Sequence, residues 1–178
     1  MKSVKVRFIA RTAILAALTL VFQSLGRFVP LGPNSNFIVG PLVNACLLIA
    51  TATVGVWGGI IIAAIAPVGS LLTTHSPIAS FLLPFSPFVA AGNIVLVLCF
   101  YFLLKKSKIA GIILGAVLKF GVLFGSVSFF LVVLKMAPKL AGTLYFLFGW
   151  PQLVTALVGG AIALIVLRAL GKSVEMNG

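Results

Sequence analysis

Acidic side chains are almost absent from this chain. One carboxylate residue, Glu175, stands against 13 Lys and Arg residues, and the formal net charge is +12. Glu175 lies near the C-terminal end, so no apolar segment contains an Asp or Glu. This excludes catalysis by paired carboxylates and a relay of acidic residues that would carry protons across a membrane.

Histidine and cysteine are scarce as well. The one histidine is His75, and the two cysteines, Cys46 and Cys99, both lie in apolar runs without metal-ligand spacing. A GxxxxGK[ST] phosphate loop is also absent, which excludes ATP hydrolysis by that route. We therefore expect a protein without catalytic residues, metal site or cofactor, for which a partner supplies any energy.

Apolar residues, by contrast, are abundant. They make up 62% of the chain, charged residues make up 8%, and the mean hydropathy is +1.30. Soluble domains carry about 25% charged residues, so this composition predicts an integral membrane protein. The basic residues lie mostly at the ends of apolar segments, which is typical of membrane topology and not of nucleic-acid binding.

Six apolar segments are long enough to be predicted membrane spans. They cover residues 8–28, 37–54, 58–72, 78–104, 109–134 and 141–167. The predicted fold is an all-α bundle of six transmembrane helices that forms a single domain over residues 1–178. With both termini in the cytoplasm, nine Lys and Arg residues face the inside and three, Arg27, Lys135 and Lys139, face the outside, as the positive-inside bias requires.

Prolines interrupt several of these segments. Pro84 and Pro87 both fall in the fourth segment, and each removes a backbone donor. In a membrane the freed carbonyls need protein or water nearby. The outer part of this segment is therefore expected to line a cavity or to pack as a broken helix.

Four polar side chains are predicted at similar depth in the membrane: Asn44, Asn93, Lys119 and Gln152. Lys119, for example, lies about 15 Å from the cytoplasmic end of its span. Such residues either bind a ligand or bond to one another between helices. For Lys119 the alternatives are deprotonation, bonds to carbonyls, snorkelling to the interface, or a bound anion. We interpret all four as candidate ligand-binding residues.

The predicted outer loops add further polar and aromatic candidates. Those that we include in the candidate binding site are Asn34, Asn36, Thr74, His75, Tyr145 and Trp150. The alternative is that they form solvated loops and an interfacial aromatic belt.

Small residues recur at the spacing that lets membrane helices approach closely. Ala13 and Ala17 form an A-x-x-x-A in the first span, and the fifth span holds a G-x-x-x-G at 111–115 and another at 121–125. Packing inside the bundle is the default interpretation, and a face exposed to a partner is the alternative.

As a whole, the chain resembles the substrate-binding S-components of energy-coupling-factor (ECF) vitamin transporters. The similarity lies in six short spans, a basic N-terminus before an alanine-rich first helix, a long first outer loop, and the segments FIVGPLVNACLLIATATVGVWGGIIIAAIAPVGSLL (37–72) and LPFSPFVAAGNIVLVLCFYFLLKK (83–106). The A-x-x-x-A at Ala13 and Ala17 matches the motif with which the family is thought to dock on its coupling subunit.

This resemblance implies a mechanism. A vitamin or related micronutrient binds in the outer half of the bundle under the loops after spans one, three and five. The subunit then topples in a bacterial plasma membrane against a transmembrane coupling subunit driven by two cytoplasmic ATPases. Because the candidate site lacks an acid, a neutral or anionic, partly aromatic ligand is expected. The alternative function is a small homo-oligomeric pore or assembly protein, which needs a polar stripe across the whole membrane.

Overall fold

The computed structural model describes residues 2–28, 35–73, 79–134 and 138–176, and all its regular elements are helices. There are seven: α1 (Lys2–Phe28), α2 (Asn36–Thr53), α3 (Val56–Thr73), α4 (Ala79–Leu103), α5 (Lys108–Leu134), α6 (Pro138–Phe148) and α7 (Trp150–Met176). Five stretches of these helices are long and apolar enough to cross a membrane, and α3 contains a shorter apolar stretch, Val56–Gly69. Over the described residues the chain is thus all-helical, with the apolar helices of a multi-pass membrane protein.

The predicted sixth span is divided in the structure. It is interrupted at Gly149, which separates the short α6 from the long α7. A Cβ at Gly149 would collide with the carbonyl oxygen of Tyr145, so only glycine fits at this break.

The turn between α2 and α3 also depends on glycine. Gly55 has a φ of 103°, a conformation that side chains with a Cβ rarely adopt. Its N–H donates to the carbonyl of Ala50 and so caps the end of α2. The chain can therefore reverse direction within two residues and pack α3 directly on α2.

The fourth helix is continuous through both of its prolines, contrary to the idea of a broken helix. Pro87 has no N–H for the carbonyl of Leu83, and the hydroxyl of Ser86 donates to that carbonyl instead, at 2.9 Å. Pro84 and Pro87 are exposed, whereas Phe85 between them is buried. The prolines therefore lie on the outer face of the bundle and not along a cavity.

Contacts at glycines give the relative directions of the helices. A Cβ at Gly115 would lie 3.1 Å from the carbonyl oxygen of Leu96, and one at Gly92 would lie 3.1 Å from Cγ of Leu123. Residue numbers that rise along α4 therefore fall along α5, and the two helices are antiparallel. We call the end of the bundle at the α4–α5 turn, with Lys105 and Lys106, the basic end, and the other end the opposite end.

Helices α2 and α7, in contrast, run parallel. A Cβ at Gly40 would lie 3.0 Å from Cβ of Thr155, and one at Gly159 would lie 2.7 Å from Cβ of Asn44. Close approach at Gly159 brings the backbone of α7 against the middle of α2. This contact fixes the position of Asn44 relative to α7.

Apolar side chains form separate clusters in the two halves of the bundle. Toward the basic end, α2, α4, α5 and α7 enclose Ala45, Leu48, Leu96, Phe100, Ile112, Ala116, Ala156 and Ala163. Toward the opposite end, α4, α5 and α6 enclose Phe85, Leu123, Val127, Leu144 and Phe148. Between the levels of these two clusters lie the buried polar side chains of Asn44, Asn93 and Lys119.

Candidate functional site

Lys119 is buried in the middle of the bundle, where its amine donates a hydrogen bond to the side chain of Asn44. The Nζ–Oδ1 distance is 2.7 Å, and the two side chains are 3% and 2% exposed. The bond links α5 to α2 across 75 positions of the chain. Of the alternatives open from sequence, the structure thus gives Lys119 an amide oxygen as a partner and keeps its side chain inside the bundle.

Asn93 lies on α4 at the same level. Two contacts between α4 and α5 bracket this level: Leu96 with Gly115, and Gly92 with Leu123. Asn93 lies between them on α4, and Lys119 lies between them on α5. Asn93 is 3% exposed. We call Asn44, Asn93 and Lys119 the polar layer.

The polar layer has unused hydrogen-bonding capacity. None of the described hydrogen bonds involves the side chain of Asn93, and Lys119 uses one of its N–H groups in the bond to Asn44. Among the described residues, the fully enclosed side-chain polar atom without a partner is Oε1 of Gln23. The amide of Asn93 is therefore not fully enclosed. The layer can therefore offer donors and acceptors to water or to a ligand.

Gln152, at the start of α7, has a structural role that sequence reasoning missed. Pro151 leaves the carbonyl of Leu147 without its helical N–H partner, and Nε2 of Gln152 donates to that oxygen at 3.0 Å. The same amide thereby bridges the break between α6 and α7. Its neighbour Thr155 is 1% exposed and packs on Gly40 of α2.

Gln23 of α1 is a second polar residue that the sequence analysis did not select. Its Nε2 donates to the carbonyl of Ala66 in α3 at 2.7 Å, one residue before Pro67. Its side chain also packs against Gly69, where a Cβ would collide with it. A glutamine inside an apolar span was the signal available, and the structure assigns it to the α1–α3 contact.

The aromatic candidates lie away from the polar layer. Tyr145 is 38% exposed, and the centroids of its ring and that of Phe124 are 5.5 Å apart. Its hydroxyl donates to the hydroxyl of Ser128. Trp150 is 54% exposed and packs on Phe37 and Phe146. Both side chains belong to the outer surface of α5, α6 and α7 near the opposite end.

The loop candidates have mixed outcomes. Asn36 is the first residue of α2 and is half-buried. Asn34, Thr74 and His75 lie outside the described residues. Of the ten candidate binding residues, the structure therefore brings Asn44, Asn93 and Lys119 together. The predicted similar depth of Gln152 is wrong: Gly159, not Gln152, lies level with Asn44 on α7, and Gln152 is about 10 Å nearer the opposite end.

Ala13 and Ala17 lie on α1, which forms one side of the bundle. Both are exposed, as is the larger Ile14 between them. The buried threonines of α1, Thr12 and Thr19, lie on its other face, toward the bundle. The A-x-x-x-A motif therefore faces outward.

The two G-x-x-x-G motifs of α5 have different surroundings. A Cβ at Gly111 or Gly115 would meet the backbone of α4, at Phe100 or Leu96. Nothing lies within 4 Å of a Cβ added at Gly121 or Gly125. The first motif thus permits close packing of α4 and α5, and the second lies on open surface.

Comparison with known protein families gives one finding that covers nearly all of these elements. A family model described as "ECF transporter, substrate-specific component" matches residues 7–171. The matched range extends from α1 into α7 and includes the polar layer and the A-x-x-x-A motif. Comparisons with curated proteins and with solved structures returned no match.

Proposed function

Because the chain belongs to the family of substrate-specific components of ECF transporters, we propose that it captures a vitamin or related small micronutrient at the extracellular side for an ATP-driven importer. Membership makes it a non-catalytic, substrate-binding membrane subunit that works with other transporter subunits. We further propose that its partners are a transmembrane coupling subunit and two cytoplasmic ATPases, and that it lies in the bacterial plasma membrane.

The proposed topology has six spans with both termini in the cytoplasm. The parallel packing of α2 and α7 supports it, because three crossings by α3, α4 and α5 separate two helices of the same direction. In this topology α6 and α7 together form the last span. The basic end faces the cytoplasm, which agrees with the positive-inside bias.

The observation that carries the proposal is the polar layer. Burying an amine and two amides in apolar surroundings is costly unless they find partners, and the described partners leave part of their capacity unused. The Lys119–Asn44 bond links α2 to α5, but it gives the buried Asn93 no partner. A bound polar ligand supplies the missing partners.

The ligand chemistry follows from what surrounds this layer. The described side chains include no carboxylate that could pair with a cationic ligand, whereas Lys119 provides an amine donor. Toward the opposite end, Phe85, Phe88, Phe130 and Phe148 pack ring against ring. This combination favours a neutral or anionic, partly aromatic ligand.

In the proposed site the ligand enters from the opposite end and contacts the polar layer with its polar group. Gln152 remains a candidate, since its amide oxygen is not part of the bond to Leu147. The other candidate contacts stay predictions from the sequence: Asn34, Asn36, Thr74, His75, Tyr145 and Trp150.

We also propose that Ala13 and Ala17 dock on the coupling subunit. Their exposure on the outer face of α1 supports this assignment, since small exposed residues let a partner helix approach closely.

The homo-oligomeric pore receives less support. A pore needs polar side chains along its whole length, but the basic half of the bundle encloses Leu48, Leu96, Phe100 and Ile112 between α2, α4, α5 and α7. This apolar cluster separates the polar layer from the basic end in the described residues.

The test is uptake and binding by the purified chain in liposomes. We expect the chain alone to bind its ligand, identified by native mass spectrometry of gently purified protein, but not to transport it under a proton gradient or with ATP. Addition of the co-purified coupling and ATPase subunits is expected to start ATP-dependent uptake. Uptake by the chain alone would contradict the proposal.

A further inference from the structure

A cleft of about 300 Å³ opens at the basic end, well away from the polar layer. It lies between the start of α5 and the later part of α7 and is lined by Ser107, Lys108, Ile109, Leu164, Leu167 and Arg168. Its volume falls at the lower limit of small-ligand sites, which measure about 300–1,000 Å³. The lining combines two cationic side chains with three apolar ones.

The cationic groups in this cleft have no described counter-charge. Lys108 and Arg168 come from different helices, and the described side chains include no carboxylate. Two like charges around one cleft repel each other, and an anion between them removes that repulsion.

The start of α5 adds backbone donors to the same place. Ser107 caps the helix: its hydroxyl accepts from the N–H of Ala110, and its carbonyl accepts from that of Gly111. The described hydrogen bonds include none from the N–H groups of Lys108 and Ile109, which are the first two of the helix. A lysine at this position adds positive charge to the positive end of the helix dipole.

The apolar part of the cleft leads into the membrane. Ile109 is 58% exposed, and Ile113 and Val117, at successive four-residue steps along the same face of α5, are 51% and 48% exposed. Lys108 lies about 16 Å from the level of Lys119 along α5, which is the headgroup depth of a bilayer with a hydrocarbon core about 30 Å thick.

From this arrangement we infer that the cleft binds the headgroup of an anionic phospholipid, with Lys108 and Arg168 on the phosphate and an acyl chain along Ile109, Ile113 and Val117. Basic pockets between transmembrane helices on the cytoplasmic side are known to bind such headgroups. The exposed side chains of Ile109, Ile113 and Val117 favour a lipid over a free phosphate ion, since an inorganic anion has no apolar part that could pack on them.

The test uses the full chain in nanodiscs that contain a neutral phosphatidylcholine and an anionic phosphatidylglycerol. Retained lipid is counted by native mass spectrometry for the unmodified chain, for the double variant K108Q/R168Q, and for the control K105Q/K106Q. The control removes the same charge from the adjacent turn, where both lysines are exposed and neither lines the cleft.

We expect the unmodified chain to retain phosphatidylglycerol in preference to phosphatidylcholine. K108Q/R168Q removes direct charge-assisted bonds to the phosphate and should lose about tenfold or more in preference, clearly more than K105Q/K106Q, which removes surface charge alone. Excess inorganic phosphate should not displace the lipid. Thermal unfolding of each variant verifies that its fold is intact.

Three outcomes would overturn the inference. Equal losses in both variants would mean that general surface charge attracts the lipid, and displacement by inorganic phosphate would mean a simple anion site. Unchanged lipid retention together with weaker binding of the ATPase subunits in K108Q/R168Q would make the cleft a protein contact. None of these results depends on whether the chain captures a micronutrient.

Discussion

At the scale of single residues, Lys119 is the side chain with the most unusual environment. It is buried, it has no carboxylate to pair with among the described side chains, and its described partner is the amide oxygen of Asn44. This bond uses one N–H of the lysine, which leaves further N–H donors available for a second polar contact. This is the physical reason to place the ligand next to Lys119.

We expect Lys119→Met to keep the fold, because a flexible thioether suits an apolar span, and to weaken ligand binding. The loss should be about 1–3 kcal/mol, the range for a hydrogen bond to a charged group, and is measured as the change in Kd by isothermal titration. Lys105→Met at the exposed basic end is the control and should leave Kd unchanged. An unchanged Kd in Lys119→Met would reduce the Lys119–Asn44 bond to a link between α2 and α5.

At the scale of elements, side chains repair the helix interruptions that the prolines cause. Ser86 donates to the carbonyl that Pro87 leaves free, and Gln152 does the same for Pro151. Exposed carbonyls are costly in lipid, so each repair lets an apolar helix contain proline without losing its place in the membrane. Helix α4 stays continuous through both prolines and places Asn93 at the level of Lys119.

Glycines, in turn, determine how closely neighbouring helices approach. We expect Gly159→Ala to destabilise the protein by about 1–3 kcal/mol, because the new Cβ would lie 2.6 Å from the carbonyl oxygen of Pro41. The free energy of unfolding is measured by denaturant or thermal unfolding in detergent. Since α2 must shift, ligand affinity should fall as well.

The matched control for this substitution is Gly121→Ala. Nothing lies within 4 Å of its added Cβ, so the change should be within about 1 kcal/mol, the difference in helix propensity between the two residues. Equal effects of the two substitutions would contradict the assigned α2–α7 contact.

At the scale of the whole molecule, the two ends of the bundle differ in composition, and one of its sides differs from the others. Toward the basic end it is filled by apolar side chains, and toward the opposite end it is rich in packed aromatic rings. On one side, α1 presents its small residues outward. This arrangement suits a subunit that binds at one end and docks along one side.

We expect Ala13→Trp or Ala17→Trp to abolish uptake in cells and to leave ligand affinity nearly unchanged. An exposed bulky ring would prevent close approach of a partner helix without entering the bundle. Uptake of labelled substrate and binding by the purified variant are measured side by side. Ile14→Trp, which replaces an exposed residue that is already large, is the control and should retain most uptake.

Loss of binding together with unfolding in the alanine variants would show that these alanines pack inside the protein. In that case, the docking surface would have to lie on another helix.

The sequence by itself determined that the protein lies in a membrane, that it is helical, and that it lacks the residues for paired-carboxylate catalysis. A membrane leaves a single chain of this apolar content few alternatives to helices, because backbone groups must be satisfied within each segment. The chain has one acidic residue, Glu175, outside the apolar segments, and this alone excludes catalysis by a pair of carboxylates. Polarity and predicted depth also selected Asn44, Asn93 and Lys119, since these side chains stand out in apolar segments.

Only the tertiary structure decided which of these residues meet. The bond between Lys119 and Asn44 depends on the close approach of helices far apart in sequence, which glycine contacts permit. The sequence also could not show that Gln152 bonds to the carbonyl of Leu147 or that Gln23 bonds to that of Ala66. Nor could it tell that one G-x-x-x-G of α5 is packed and the other exposed. Which face of a helix is covered depends on its neighbours, and an apolar helix in an apolar solvent has no hydrophobic pattern that reveals that face.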